Sequence, residues 1–447
     1  MKRTPPRSVL ISEELPGTTP NQMPHFVLAS IGTDGDIFPY LGMGTTLRAR
    51  GHRATLLASD DYREKAQDLG LEFRPLASKE ENRQLLSNPD FWHPIKGGMV
   101  GARWGAPLLP RHYALLAEFA RQDDVTFVAN PGLLAARVVQ EKFGRPLATP
   151  LLQPGMIQSC TAPPALPAAP TLPRWAPRPL GHVYWGVLDA FGSFLLGRAL
   201  ADLRGPLGLP PVKRFFRWWL SPQLVLGMFP QWYAPPQPDW PPQIELTGFP
   251  LYDGGAGERP LDEKLAAFCD WGEAPVAFTF GTGMMHAARL FRAGVEACRV
   301  LGRRGVVLTK FAEQLPAPLP DAIHHATFAS FRQLFPRCAA VVHHGGVGTV
   351  AECFAAGVPQ AVLPIAWDQK DNAARVKRLG AGDWMRAGRA TGPRLSALLR
   401  PLLTQQARDA SRGVSARFGN EDPLEIAADH LESLATSSLS PCGRGQG

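Results

Sequence analysis

The sequence predicts an α/β chain built from two doubly wound parallel-sheet units, and three observations predict it. A strand–glycine turn–helix–strand pattern opens the chain between residues 25 and 58, and a second such pattern lies between residues 339 and 363. The 447 residues are enough for two or three domains with full cores. A strand, a crossover helix and a parallel strand form the repeating unit of this class.

Residues 25–31 read as a first buried strand. Gly32-Thr-Asp-Gly-Asp36 turns the chain into a helix over 37–50 whose apolar positions Ile37, Tyr40, Leu41 and Leu47 share one face. Gly51 stops it and residues 53–58 form strand two. Asp36, at the end of strand one, faces the crevice where doubly wound sheets bind ligands. It reads as a catalytic carboxylate or as a helix N-cap, and the two jobs pull its pKa in opposite directions.

Residues 59–150 alternate helical and strand-like pieces, with strands at 125–129 and 146–150 around a helix over 134–143. Phe91-Trp92-His93 and Trp104 sit in a loop-rich stretch and either contact a substrate or pack beneath the loop. Dense proline makes 162–179 an extended loop. A helix over 181–203 carries Val183, Val187, Phe191, Phe194 and Leu195, and Phe215-Phe216-Arg217-Trp218-Trp219 follows. These aromatics are either core or the lining of a pocket for an apolar molecule. The proline-rich stretch 229–254 suits a connection between domains.

The second unit opens near Gly255. A strand over 275–280 leads through Gly281-Thr282-Gly283 into a helix over 287–300, and 305–309 is the next strand. The apolar run Ala339-Ala340-Val341-Val342 precedes His343-His344-Gly345-Gly346-Val347-Gly348-Thr349, a turn that opens a helix stopped by Gly357. Such a turn offers unpaired N–H groups at the positive end of a helix dipole, and glycines let an anion approach the backbone. Helices follow at 373–379, 394–403 and 425–434.

Composition narrows the classes. With 45% hydrophobic and 19% charged residues the chain is globular. The net charge of +8 suits an anionic donor, an acidic substrate or a membrane surface, or else reflects a GC-rich genome that favours arginine codons, and the basic residues are scattered, which argues against nucleic acid. The six cysteines at 160, 269, 298, 338, 353 and 442 have no metal or CxxC spacing and suit a reducing, cytoplasmic compartment. No metal site is expected from the histidine pairs 324–325 and 343–344, which lack acidic or cysteine partners at ligand spacing. No stretch approaches a membrane span or a signal-peptide core, and Met23 stands before the first strand as an alternative start.

His344-Gly-Gly-Val-Gly-Thr-Val-Ala-Glu352, Gly357-Val-Pro359, Pro364 and Asp368-Gln369 together resemble the nucleotide-sugar signature of the UDP-glycosyltransferase-like family, glycosyltransferase family 1. Gly35-Asp36-Ile-Phe-Pro39 and Arg50-Gly51-His52 resemble that family's opening. The resemblance implies the GT-B fold, two Rossmann-like domains facing across a cleft. It also implies that His344, Thr349 and the amides of Gly345, Gly346 and Gly348 hold the diphosphate and that Glu352 holds the ribose. Asp368 and Gln369 would grip the sugar hydroxyls, Thr282 would add a phosphate donor and Phe328 would stack on the base. Asp36 would be the general base toward an acceptor hydroxyl. The run 212–253, with Phe229-Pro-Gln-Trp-Tyr and Thr247-Gly-Phe-Pro, is similar to a narrower group, the bacterial rhamnosyltransferases of rhamnolipid synthesis and their relatives. The signature of those rhamnosyltransferases lacks the helix glutamate that stands here as Glu352, so rhamnose on dTDP and glucose on UDP are both open as donors.

The reading is an inverting, metal-independent hexosyltransferase needing no cofactor beyond its nucleotide-sugar co-substrate, with a lipophilic acceptor such as a hydroxy-fatty-acid lipid. It would be cytoplasmic, with peripheral contact to the inner face of the membrane and no obligate protein partner. A nucleotide-sugar epimerase and an idle homologue that activates a partner enzyme are the alternatives. The expected domains are 24–228 for the acceptor, 229–254 as linker and 255–404 for the donor. Helices in 405–436 would return to the first domain, and 1–22 and 437–447 would be disordered.

Overall fold

The computed structural model describes residues 23–166, 172, 177–255 and 260–439. The expected disorder of 1–22 and of 440–447 lies outside the described residues. Two parallel sheets carry the molecule. The first holds β1 (His25–Ala29), β2 (Arg53–Ser59), β3 (Glu72–Ala77), β4 (Val125–Ala129), β5 (Leu147–Leu151), β6 (Leu224–Gly227) and β7 (Ile244–Leu246) in the order 3-2-1-4-5-6-7. The second holds β8 (Val276–Thr279), β9 (Gly305–Leu308), β10 (Ile323–Ala326), β11 (Ala340–His343), β12 (Gln360–Val362) and β13 (Gly382–Trp384) in the order 10-9-8-11-12-13.

Each sheet reverses its strand order once, between β1 and β4 and between β8 and β11. The crevice beyond the carboxyl ends of the strands at such a point is where open α/β sheets bind ligands. Helices cover both faces, so β1, β4, β5, β8 and β11 are buried along their whole length, which explains why they are mainly apolar and do not alternate with exposed polar residues.

The stretch 229–254 departs from the expected linker. It supplies β7, the edge strand of the first sheet, and sends Phe229, Tyr233 and Phe249 into an apolar cluster with Leu151 and Val225 of that sheet and Val350, Phe354 and Val376 of the second domain. The two C-terminal helices also part ways. Gln405–Ser415 stays on the second domain, its Ser415 hydroxyl donating to the Ala355 carbonyl at 2.8 Å. Pro423–Leu439 crosses over and buries Leu424, Ala427, Leu431 and Ala435 against the helix Asp34–Ala49 of the first domain. It runs past residue 436 into the stretch expected to be disordered. Among the described residues no helix is long and apolar enough to cross a membrane.

Candidate active site

The glycine turn after β11 is held from below by His343. This imidazole is fully buried, accepts the Gly345 N–H at Nδ1 over 3.1 Å and lies 3.0 Å from Gln360 Oε1 through Nε2. Burial, with the neighbouring His344, lowers its pKa to about 3, so the ring is neutral. With Nδ1 accepting, Nε2 carries the proton and donates to Gln360. The Gly345 amide is therefore engaged inside the protein, which removes it from the set expected to meet a diphosphate. Gly345 is still required by the backbone. Its φ is +96°, and a Cβ there would lie 2.8 Å from Val362 Cγ1 and 3.0 Å from the Gln369 carbonyl oxygen.

Gly346 is the N-cap of the helix Val347–Ala355, and no side chain caps that helix. The N–H groups of Val347, Gly348 and Thr349 thus form an open, positively polarised end. A Cβ on Gly346 would press within 2.6 Å of His344 Nε2, whereas one on Gly348 would meet nothing within 4 Å. The His344 ring fits between Gly346 and Gly281, the latter at the end of β8 with φ +97°. Its Nδ1 is buried and has no hydrogen-bond partner, and burial lowers its pKa to about 4. His344 is a neutral imidazole whose buried Nδ1 is left without a hydrogen bond, an exception to the usual pairing of buried polar atoms.

Glu352, one turn further along, is buried. Desolvation lifts its pKa to about 7, with Arg332 pulling it down and Asp253 pushing it up. Thr349 is half-buried beside the open helix end. Phe328 follows β10 with 60% of its surface exposed, a ring free to stack. Thr282 is exposed, and the helix expected over 287–300 runs Ala288–Leu301, well beyond the turn. The Gly281-Thr282-Gly283 turn therefore does not feed a second helix terminus. Gly283 instead meets the first domain, where a Cβ would lie 2.9 Å from Thr33 Cγ2.

Asp368 is the N-cap residue of the helix Gln369–Arg378. Its Oδ2 accepts from Asn372 Nδ2 at 2.6 Å, and the same amide group donates to the Gly345 carbonyl at 2.9 Å. Asn372 Oδ1 accepts from the Tyr233 hydroxyl at 2.8 Å. Asn372 and Tyr233 are fully buried, so one side chain ties Asp368, the glycine turn and the inter-domain segment together. Neither was singled out from the sequence, although Asn372 stands four residues after Asp368, the spacing that puts both on one helix face. Gln369 is buried, and its Oε1 accepts the N–H groups of Ile365 (2.8 Å) and Ala366 (3.0 Å), so its carbonyl end serves the turn. Between them Trp367 adopts φ +57°, the one non-glycine residue with positive φ among those described. Its ring packs on Phe91 of the first domain at 5.0 Å. A bulky residue in the left-handed region is strained, and such strain gathers at functional sites. Phe91 therefore belongs to an inter-domain contact, while Trp92 and Trp104 donate to the Leu86 and Glu81 carbonyls in a stretch that is largely helical.

Asp36 approaches from the first domain, just after β1. It is the third residue of the helix Asp34–Ala49, not its N-cap; Thr33 holds that position. Asp36 Oδ2 accepts from the Thr33 N–H at 2.9 Å, closing a capping box. These hydrogen bonds lower its pKa, but desolvation outweighs them and lifts it to about 6. Asp36 and Asp368 lie close enough across the cleft for the charge of Asp36 to help raise the Asp368 pKa to about 7, burial being the larger cause. The structure thus brings Asp36, His344 and Asp368 to the two facing crevices, from two domains that touch at Thr33–Gly283 and Phe91–Trp367.

Two family models match the chain. Residues 26–159 match the glycosyltransferase family 28 N-terminal domain, and residues 304–433 match the erythromycin biosynthesis protein CIII-like C-terminal domain. O-mycaminosyltylonolide 6-deoxyallosyltransferase of Streptomyces fradiae is 30% identical over 92% of this chain and 98% of its own length. Vancomycin aglycone glucosyltransferase of Amycolatopsis orientalis is 29% identical over 90% and 95%. Among solved structures, the kitacinnamycin glycosyltransferase superposes with a TM-score of 0.69 at 18% identity, covering 94% of this chain and 100% of that one. A spinosyn rhamnosyltransferase complexed with thymidine diphosphate gives 0.61 at 18% identity, covering 91% and 99%. The facing Rossmann-like domains are the GT-B fold, and with this agreement along nearly its whole length the chain belongs to the glycosyltransferases that join a family 28 N-terminal domain to a CIII-like C-terminal domain.

Proposed function

We propose that the protein is an inverting, metal-independent hexosyltransferase moving rhamnose or glucose from a dTDP- or UDP-sugar to a hydroxyl of a lipophilic acceptor, such as a hydroxy-fatty-acid lipid, in the cytoplasm. The observation that carries the reading is the pair of half-buried carboxylates, Asp36 and Asp368, that come from opposite domains beside the open Val347–Ala355 helix end, near enough for the charge of Asp36 to raise the pKa of Asp368. Asp36 takes the acceptor proton as its oxygen attacks the anomeric carbon and the nucleoside diphosphate leaves from the opposite face, which inverts the configuration without a covalent intermediate. Negative charge gathering on the diphosphate is met by the Val347, Gly348 and Thr349 amides, the Thr349 hydroxyl and the neutral His344. Thr282 adds a hydroxyl at the phosphates, Phe328 stacks on the base, Glu352 accepts from the ribose, and Asp368 and Gln369 bind the sugar.

The thymidine diphosphate bound by a structural neighbour and the 6-deoxyhexose transferred by a relative support a dTDP-linked deoxysugar. The similarity of 212–253 to the rhamnolipid group supports rhamnose and a hydroxyalkanoate acceptor. Glu352 and the glucosyltransferase relative support glucose. The test is incubation of the protein with UDP-glucose or dTDP-rhamnose, with and without a hydroxy-fatty-acid dimer, while nucleoside diphosphate release is followed by mass spectrometry. Lipid-dependent release from one donor is expected. Binding of neither nucleotide would sink the reading of the glycine turn.

A further inference from the structure

Asp368 and Gln369 belong to the second domain, yet the residues on either side of them are held by the first. On one flank stands Trp367, whose backbone has φ +57°. Its ring centroid lies 5.0 Å from that of Phe91, and it faces the helix Lys96–Gly105 at Gly97 and Gly101. These glycines are one turn apart and share a face of the helix. A Cβ on Gly97 would come within 3.3 Å of the indole and one on Gly101 within 3.8 Å. On the other flank, Asp371 Oδ1 accepts the N–H of Ala165 at 3.0 Å, a buried contact with the proline-dense loop of the first domain. Lys370 Nζ donates to the Leu166 carbonyl of the same loop at 3.0 Å. The loop is fixed at its base, where Asp239 accepts the Ser159 hydroxyl at 2.8 Å and the Cys160 N–H at 2.6 Å.

We propose that Trp367 and Asp371 are positioning residues, through which the first domain clamps the stretch 365–371 from both flanks and sets where Asp368 and Gln369 point. Neither side chain is explained by stability within its own domain. Trp367 is 38% exposed, so burial does little to offset its strained backbone, and the ring is held by Phe91 and the two glycines across the cleft. Asp371 is buried with Arg375 at 2.7 Å, and a buried ion pair adds little net stability. That pair does fix the carboxylate, leaving Oδ1 turned to Ala165. Both clamps act on one short turn, because Gln369 Oε1 accepts the Ile365 and Ala366 N–H groups and the turn must move with it. The glycine turn before the Val347–Ala355 helix is set differently, by His343 and Gln360 of the second domain itself. The nucleotide is then met by residues of one domain, and the sugar by a stretch that both domains hold. That the clamp aligns the transferred sugar for attack rests on the proposed function; the clamp itself does not.

The experiment compares Phe91→Ala, Trp367→Gly, Asp371→Ala and Asp371→Asn with the wild-type full-length protein. Without ligand, amide hydrogen exchange at residues 365–371 should be about tenfold faster in the first three variants, with exchange at 345–352 as in the wild type. Glycine adopts positive φ without strain, so Trp367→Gly removes the ring and keeps the turn, and a cooperative melt checks that each variant folds. Asp371→Asn keeps an oxygen for the Ala165 N–H and should restore slow exchange. With UDP-glucose or dTDP-rhamnose as donor, kcat/KM should fall by roughly tenfold or more in the same three variants while nucleoside diphosphate affinity is unchanged. Phe91→Ala combined with Trp367→Gly should lose no more than either alone, since both break one contact. Exchange at 365–371 that Phe91→Ala leaves unchanged overturns the proposal. So does a loss of nucleoside diphosphate affinity as large as the loss of kcat/KM, because a generally loosened domain would produce it. A wild type that binds neither nucleotide while the exchange contrast holds would count against the proposed reaction and leave the clamp standing.

Discussion

At the residue scale, Asp36 holds two jobs whose demands conflict, and the structure shows which prevails. Its capping hydrogen bonds favour the charged form, but burial in the cleft is the larger effect and leaves the carboxyl near pKa 6. A folded-state pKa above the unfolded value means the folded protein holds the proton more tightly between about pH 4 and pH 6, so stability falls as pH rises through that window. Asp36→Asn removes the charge and keeps an oxygen for the Thr33 N–H. We expect it to raise stability at pH 7 by about 1–3 kcal/mol while lowering kcat by roughly a hundredfold or more, with nucleotide affinity retained. Calorimetry and steady-state kinetics check both halves, and unchanged turnover would remove Asp36 from the chemistry. In the wild type, kcat/KM should climb from about pH 5 to about pH 7 as the carboxyl ionises, and a flat profile would contradict the pKa. Asp36 was legible as a candidate from its place after the first strand and from the family resemblance, although a helix cap was an equally good structural reason for it. The capping partner was not legible, since Thr33, Asp34 and Asp36 are all competent to cap and only the backbone decides.

At the element scale, the glycine turn separates a folding requirement from a binding requirement. Gly345 has positive φ and a blocked Cβ direction, whereas Gly348 has ordinary φ and open space before it. Gly345→Ala should therefore cost about 2–4 kcal/mol of stability, from backbone strain plus overpacking against Val362. Gly348→Ala should leave the denaturant midpoint almost unchanged and, on the proposed function, still weaken nucleotide binding, because its new methyl group would stand in the open space where the diphosphate is proposed to approach. Equal stability loss in the two variants would refute the distinction. Asn372 supports the same turn, and Asn372→Ala strands the Tyr233 hydroxyl and frees Asp368. A destabilisation of about 2–3 kcal/mol is expected in urea unfolding, with weaker sugar selectivity than the wild type. The turn and its helix could be read from Gly-Gly-Val-Gly and the apolar run before it. The supports could not, because Asn372 and His343 act through partners at Tyr233 and Gln360 that only the folded protein brings near.

At the scale of the molecule, the two domains share core, and this is where the sequence was least informative. Proline at 235, 236, 238, 241, 242 and 250 suggested a connection between the domains and left its burial unread. Those prolines rigidify a segment whose aromatics fill the junction: the Trp232 ring lies 5.8 Å from Phe249, 5.6 Å from Phe354 and 5.4 Å from Phe418. Proline marks a break in regular structure and says nothing of burial, so the composition was compatible with either arrangement. The C-terminal helix adds a second tie, with Leu431 fully buried on the first domain and Arg50 paired to Glu425 (2.5 Å), Asp429 (2.7 Å) and Glu432 (2.9 Å). The ion pairs are partly exposed and contribute little on their own, whereas the buried leucine and aromatics carry the attachment. Domains joined only by an exposed linker would melt independently, but domains that share a packed aromatic cluster lose one another's burial on unfolding and melt together. The full-length protein should therefore show a single calorimetric transition. Phe354→Ala, which removes a buried ring from the shared cluster, should lower it as one transition by about 3–5 kcal/mol in stability. Two transitions in the wild type, or a variant in which only the second domain's transition moves, would mean that the junction packs without coupling the halves, and the cleft between Asp36 and Asp368 would then be free to open without cost to either core.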